Sequence, residues 1–399
     1  MSRKRNEVGS LPSNTKNIIG EEQRDRTVDI IKGIGIVLMV VRHARAPFSD
    51  FVLLFHMAIF FIASGFLLNC RYAETFSGVM KYIKKKIKGL WLPYFMYTCA
   101  FLLLNNFFLK INVYTDNPQF LTEKILEEGY VGLGKYYGIS EIVKQIVKAV
   151  FFRSGTQVGG ALWFFMTLFT VLIAYIVCEF LLKKSFSKTS TVICMQTVIS
   201  VIFLVFGYIC MLNDITVKSF DKTLSVYILI HIGRVLRHFS GMERLKKVFW
   251  GNFAMLIVGI IVLLCGYQRG YISIASNDIE NPLFFIIMSM AGWILLYGVA
   301  GIIDSLSQGT VDTLSYISIH SVPIISLHFL SFKVISLIAV AVYEFDWYMI
   351  AAFPVLMRTG AWWILYTVAG VGIPLICQYI MLNTLNILKK QFYKMRRND

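Results

Sequence analysis

The apolar run from Val28 to Pro47 carries three side chains able to hold charge or move a proton inside a hydrophobic stretch: Asp29, Lys32 and His43. Ionisable groups within a membrane span cost roughly 2.5 to 3.5 kcal/mol each on insertion scales, so they mark function by default. At about 100° per residue, Lys32 and His43 lie about 20° apart on a helix, with roughly 16 Å between their levels. Asp29 falls on the same broad stripe. An imidazole is the side chain best matched to acid–base work near neutral pH, and it can take the proton from a hydroxyl as that oxygen attacks an acyl carbon. The residues alone leave a second reading open: His43, between Arg42 and Arg45, anchors the helix among headgroups, and Lys32 snorkels to the opposite surface.

What must position these groups is a bundle of apolar helices. The 399 residues are 57% hydrophobic with a mean hydropathy of +0.65, far above the globular norm. The reading is an all-α integral membrane protein. About ten runs are long enough to span a hydrocarbon core of roughly 30 Å: 28–47, 51–69, 91–109, 161–182, 191–211, 223–239, 249–267, 282–303, 313–342 and 361–387. The first is expected to be a retained span rather than a signal peptide, because no small-residue cleavage site follows it.

The net charge of +16 sits in clusters flanking these runs, which points to topology rather than nucleic acid. Basic groups cluster in the amino-terminal tail (Arg3, Lys4, Arg5, Arg24, Arg26) and after the second run (Lys81, Lys84, Lys85, Lys86, Lys88). Others follow the fourth (Lys183, Lys184, Lys188), the sixth (Arg237, Arg244, Lys246, Lys247) and the last (Lys389, Lys390, Lys394, Arg396, Arg397). All fall on one side if the number of spans is even, so both termini are expected in the cytoplasm. The chain then divides into a basic tail (1–27), a transmembrane domain (28–387) with a long outer loop (110–160), and a second basic tail (388–399). Seven scattered cysteines without CxxC spacing predict neither a metal site nor disulfides, but small core residues.

Within the loop, Ile142, Ile146, Ala149 and Val150 share one helical face and Lys144 and Lys148 another, as expected of a helix lying at an interface. His320 and His328 fall on the ninth run, about 80° apart among several serines. Lys333 has Glu344 and Asp346 as expected partners. The tryptophans, Trp163 and Trp293 among them, read first as interfacial anchors.

Several segments, in order, resemble the membrane acyltransferase 3 family over nearly the whole chain. They are Asp29 to His43, with a basic residue followed by glycine and a histidine eleven positions on; Phe55-His56-Met57 leading through Phe60-Phe61 to Ser64-Gly65; and Tyr82 to Lys88 ahead of Leu92-Pro93-Tyr94. Leu162-Trp163-Phe164-Phe165 and Leu327-His328-Phe329 complete the set. Lys32 and Lys86 stand where members usually carry arginine, keeping the charge but losing the planar fork. Ala58 replaces the usual proline. A one-domain mechanism, without a hydrolase-like carboxy-terminal domain, is expected.

The resemblance implies transfer of an acyl group, usually acetyl, from cytoplasmic acyl-CoA to a hydroxyl of a cell-surface or lipid-linked carbohydrate in a bacterial plasma membrane. His43 would be the general base, with Lys32 and Asp29 on the same catalytic face. Lys84, Lys85, Lys86 and Lys88 would meet the CoA phosphates, although the positive-inside signal accounts equally well for any one of them. His56, Ser64, Trp163 and His328 would line or support the cavity. Acyl-CoA enters as co-substrate, with no bound cofactor, no metal and no nucleic acid. The competing class is a multi-pass transporter or flippase of a lipid-linked sugar, which also needs polar groups inside its bundle; a succinyl donor or a different sugar acceptor stays within the first class.

Overall fold

The structure, a computed structural model, describes residues 25–123, 132–215, 220–239 and 249–398. Arg3, Lys4, Arg5, Arg24, Arg244, Lys246 and Lys247 lie outside the described residues, and only the helical backbone of the carboxy-terminal basic cluster is described. Among the described residues the fold is helical apart from a two-stranded ribbon pairing Ile272–Ser273 with Asp278–Ile279.

The helices in chain order are α1 (Arg26–His43), α2 (Ser49–Leu53), α3 (Ala58–Phe66), α4 (Phe76–Lys86), α5 (Leu92–Leu103), α6 (Asn105–Lys110) and α7 (Ile139–Val150). They continue with α8 (Trp163–Ser185), α9 (Thr189–Leu212), α10 (Phe220–Phe239), α11 (Phe249–Tyr267), α12 (Pro282–Leu306), α13 (Gln308–Ile319), α14 (Ser321–Tyr343) and α15 (Trp362–Asn398).

Among the described residues seven segments are long and apolar enough to cross a membrane: 49–66, α8, α9, 250–267, α12, α14 and 362–385. This makes the chain a multi-pass membrane protein, with fewer unambiguous spans than the ten expected. The other three runs are helical but fall short for identifiable reasons. α1 carries Arg26, Asp29, Lys32 and Arg42 in 18 residues, and α10 carries Asp221, Lys222, Arg234 and Arg237 in 20. The run 91–109 breaks at Leu104 into two short helices. The expected span 313–342 is also interrupted: α13 stops at Ile319 and α14 starts at Ser321 with Pro323 in its first turn, a residue with no N–H to donate back into the preceding helix. His320 therefore caps one helix, and His328 lies inside the next.

α1 is the hub of the bundle. It packs against α2, α3, α12, α13, α14 and α15, so its polar groups face protein on most sides. Its start is fixed by Asp25, whose carboxylate accepts from the Val28 N–H at 3.2 Å, and by Arg26, which pairs with Asp304 at 2.7 Å. Gly33 lets α1 lie directly on α13, because a Cβ there would overlap the Leu314 carbonyl. The same device joins α3 to α10. Cβ atoms at Gly65 and Gly233 would each collide with the other helix's backbone, and small residues allow the close approach on which helix association in lipid depends.

Several further expectations are corrected. Of the seven cysteines only Cys210 is buried; Cys194, Cys265 and Cys377 are exposed on apolar helices, where lipid rather than a protein core would meet them. Trp293 is no interfacial anchor. It is fully buried, packed on Phe66 and Tyr297. Lys333 reaches neither Glu344 nor Asp346. Its ammonium donates to three consecutive carbonyls, Ile350 at 3.1 Å, Ala351 at 3.0 Å and Ala352 at 2.7 Å, which satisfies all three of its donors inside the bundle.

Candidate active site

α1 ends at His43 in a six-residue cap whose hydrogen bonds are those of a Schellman motif: Ala46 N–H to Val41 O at 3.4 Å and Arg45 N–H to Arg42 O at 3.3 Å. Arg45 occupies the left-handed position, φ 60°. The chain then enters α2, and the turn 54–57 that links α2 to α3 brings His56 back toward His43.

Both histidines line one cavity of about 430 Å³, within the usual range for a small-molecule site. Arg42, Arg45, Trp163 and Phe164 contribute to its wall, and three connecting segments close it: Gly160–Ala161, Ser273–Ala275 at the ribbon, and Phe353–Pro354. The last of these is carried by the 3₁₀ turn Trp347–Ala351 and the residue after it, whose carbonyls Lys333 holds. Lys333 thus acts on the cavity wall without lining the cavity.

The His43 ring rests on α14. Its centroid is 5.2 Å from that of His328 at an interplanar angle of 30°, and 4.7 Å from Phe329 in an edge contact. His328 lies behind the wall, fully buried. Its Nδ1 is 3.0 Å from Ile324 O and 3.1 Å from Ile325 O, so that nitrogen must carry the proton and donate. Nε2 is then an acceptor, and among the described residues it has no hydrogen-bond partner. His56 is locked in the same way, with Nδ1 3.0 Å from Val52 O, which makes its Nε2 the acceptor nitrogen.

The remaining expected site residues are distributed differently. Asp29 and Lys32 do not line this cavity. They sit toward the other end of α1, fourteen and eleven residues before His43, about 21 and 16 Å away along the axis. Asp29 is buried and accepts from Ser318 Oγ at 3.3 Å. Ser64 turns its hydroxyl back on its own helix, donating to Phe60 O at 2.7 Å, and does not reach the cavity. Trp163 does line it, and Lys222 stands 5.4 Å from the centre of its ring. Lys84, Lys85, Lys86 and Lys88 gather where α4 passes through a π-turn (Ile87–Trp91). Lys85 lies over Tyr72 at 5.9 Å and Lys86 over Tyr82 at 5.0 Å.

A second polar cluster is built on a carboxylate that the sequence did not single out. Glu179, wholly buried on α8, pairs with Arg234 of α10 at 2.8 Å and accepts from Gln196 at 3.3 Å, while Tyr227 donates to Gln196 at 2.8 Å. Arg234 also contacts the Cys70 thiol, and Lys183 donates to the Cys70 carbonyl at 2.8 Å. A carboxylate in the apolar run 161–182 was the available signal; its partner lay on another helix. Glu179 is sixteen residues beyond Trp163, about 24 Å along α8, so this cluster lies toward the opposite end of the bundle from the cavity.

Among the described residues no group of three or more His, Cys, Asp or Glu side chains is arranged to hold a metal ion. No curated protein and no solved structure matches the chain. A family model described as an acyltransferase domain matches residues 25–382, from the cap of α1 into α15, and so spans every residue of the cavity and of the lysine cluster. The chain belongs to the acyltransferase 3 family of membrane proteins.

Proposed function

We propose that this membrane acyltransferase moves an acyl group, acetyl in the first instance, from cytoplasmic acyl-CoA to a hydroxyl of a cell-surface or lipid-linked carbohydrate, in a bacterial plasma membrane. The observation that carries the reading is His43 on the wall of a cavity of about 430 Å³, its ring backed by His328 and Phe329. In this reading the end of the bundle bearing Lys84 to Lys88 and Lys183 faces the cytoplasm, by the positive-inside rule, and the cavity faces outward.

The chemistry then runs as follows. The acceptor hydroxyl oxygen attacks the thioester carbonyl as His43 removes its proton. The tetrahedral intermediate collapses, the C–S bond breaks, and the imidazolium returns the proton to the departing CoA sulfur. Lys84 to Lys88 take the CoA phosphates at the cytoplasmic mouth, and Lys32, lower on α1, adds positive charge along the donor's path. Asp29 secures α1 to α13 through Ser318 rather than meeting the reacting atoms.

The test is transfer from labelled acetyl-CoA in membranes containing the protein. His43→Ala should lower it by about 10² to 10⁴, the usual contribution of a positioned acid–base group. Transfer undiminished in that variant would overturn the assignment, and sugar transport without any dependence on CoA would favour the transporter class.

A further inference from the structure

Among the described residues, the cavity wall contains two arginines and two histidines and no carboxylate. Arg42 pairs, among the described residues, with Asp50 at 3.9 Å, and the Asp50 side chain is 74% exposed against 19% for Arg42. Such a contact neutralises little of a guanidinium that burial has taken from water. Arg42 Nε is buried and has no hydrogen-bond partner among the described residues.

Arg45 is the second cation of the wall. It stands at the left-handed position of the Schellman cap. Non-glycine residues hold that position at four other helix ends of this chain, Asn112, Phe152, Asp214 and Glu344, so what sets Arg45 apart is where the cap puts it. The side chain so placed lines the cavity beside His43.

We propose that Arg42 and Arg45 form the binding site for a negatively charged group, a carboxylate or a phosphate, on the acceptor, so that the glycan acylated is an acidic one. This rests on the acyltransferase reading above and names its substrate class. The donor's own phosphates do not need these arginines, because the whole pantetheine arm separates them from the thioester. A guanidinium presents a planar fork that suits either oxyanion bidentately. A group on the acylated ring or its neighbour lies within reach of both arginines while a hydroxyl meets His43.

The experiment uses the full chain in liposomes with labelled acetyl-CoA, and surface glycan extracted from producing cells that lack the protein. Replacing both arginines by Gln should raise KM for the glycan and lower kcat/KM at least about tenfold, with KM for acetyl-CoA unchanged. Arg45→Gly relaxes the cap and should show the same acceptor defect in a protein that folds at least as well, which separates the effect from misfolding. Reduction of the glycan's carboxyl groups, or removal of its phosphates, should bring the wild-type kcat/KM down to that of the double variant; which treatment does so identifies the anion. A glycan carrying neither group, or wild-type transfer indifferent to both treatments, overturns the proposal while leaving the acyltransferase reading intact. So does a fall in kcat shared equally by native and neutralised glycan, which would mean that the arginines serve only the reacting carbonyl. Absence of both transfer and CoA release in the wild type fails the underlying reading instead.

Discussion

His43 at the end of α1 and His328 inside α14 stack their imidazoles with centroids 5.2 Å apart. Only His43 faces the cavity. His328 holds its proton on Nδ1 through two helix carbonyls, which turns its ring into a fixed platform and sets the plane in which the His43 ring lies.

Because His328 positions the base rather than touching substrate, His328→Ala should lower kcat by about tenfold to a hundredfold, the scale of a misplaced catalytic group, with KM for either substrate little changed. A phenylalanine at 328 keeps a flat ring behind His43 and should recover part of the loss. Steady-state kinetics on the two variants, with thermal unfolding in detergent as a control, check this; an equal loss of kcat in both would show that the Nε2 lone pair matters and not the platform.

Lys333 ties the loop bearing Phe353 and Pro354 to α14 through three carbonyls. Lys333→Met fills similar volume but leaves those carbonyls unpaired in the interior. The expected cost is at least about 3 kcal/mol, since three buried groups lose a partner and each such loss costs about 1 to 3. The unfolding midpoint should fall, and KM for the acceptor should rise as this part of the cavity wall loosens. A variant as stable as the wild type, with unaltered KM, would show that the loop holds itself.

Glu179 and Arg234 form a buried pair joining α8 to α10. Glu179→Gln leaves a buried guanidinium without its counter-charge, for which a loss of about 3 to 5 kcal/mol is expected. Replacing Arg234 by Met in the same chain should restore a large part of it. The double-mutant cycle, read from thermal unfolding, checks the coupling: additive single effects would mean that the pair contributes no joint stabilisation.

Local chemistry made much of this legible from sequence. Apolar runs too long for water to tolerate reveal a membrane bundle, and a histidine eleven residues after a basic position gives α1 its polar face, because both follow from the period of a single helix. The resemblance placed His56, Ser64, Trp163 and His328 near that face; the structure puts His56 and Trp163 on the cavity wall and His328 behind His43, while Ser64 bonds back to its own helix. Interruption of helices was harder to see. Pro323, in the first turn of α14, has no N–H to donate back into α13, and so one residue parts two helices inside an otherwise continuous apolar run.

What the sequence by itself determined is therefore the bundle and the residue types on α1. Tertiary structure decided which of them work together. Asp29 and Lys32 share a stripe with His43, yet the length of the helix separates them from it, and Ser318 engages Asp29. Arg45, which looked like an interfacial flank, lines the cavity from the left-handed cap at the end of α1, and Arg42 joins it from the last turn of the helix itself. Glu179 finds Arg234, and Lys333 finds three backbone carbonyls. A buried charge in a membrane protein must meet whatever compensates it, and the partner is supplied by helices distant in the chain, so no local pattern can name it.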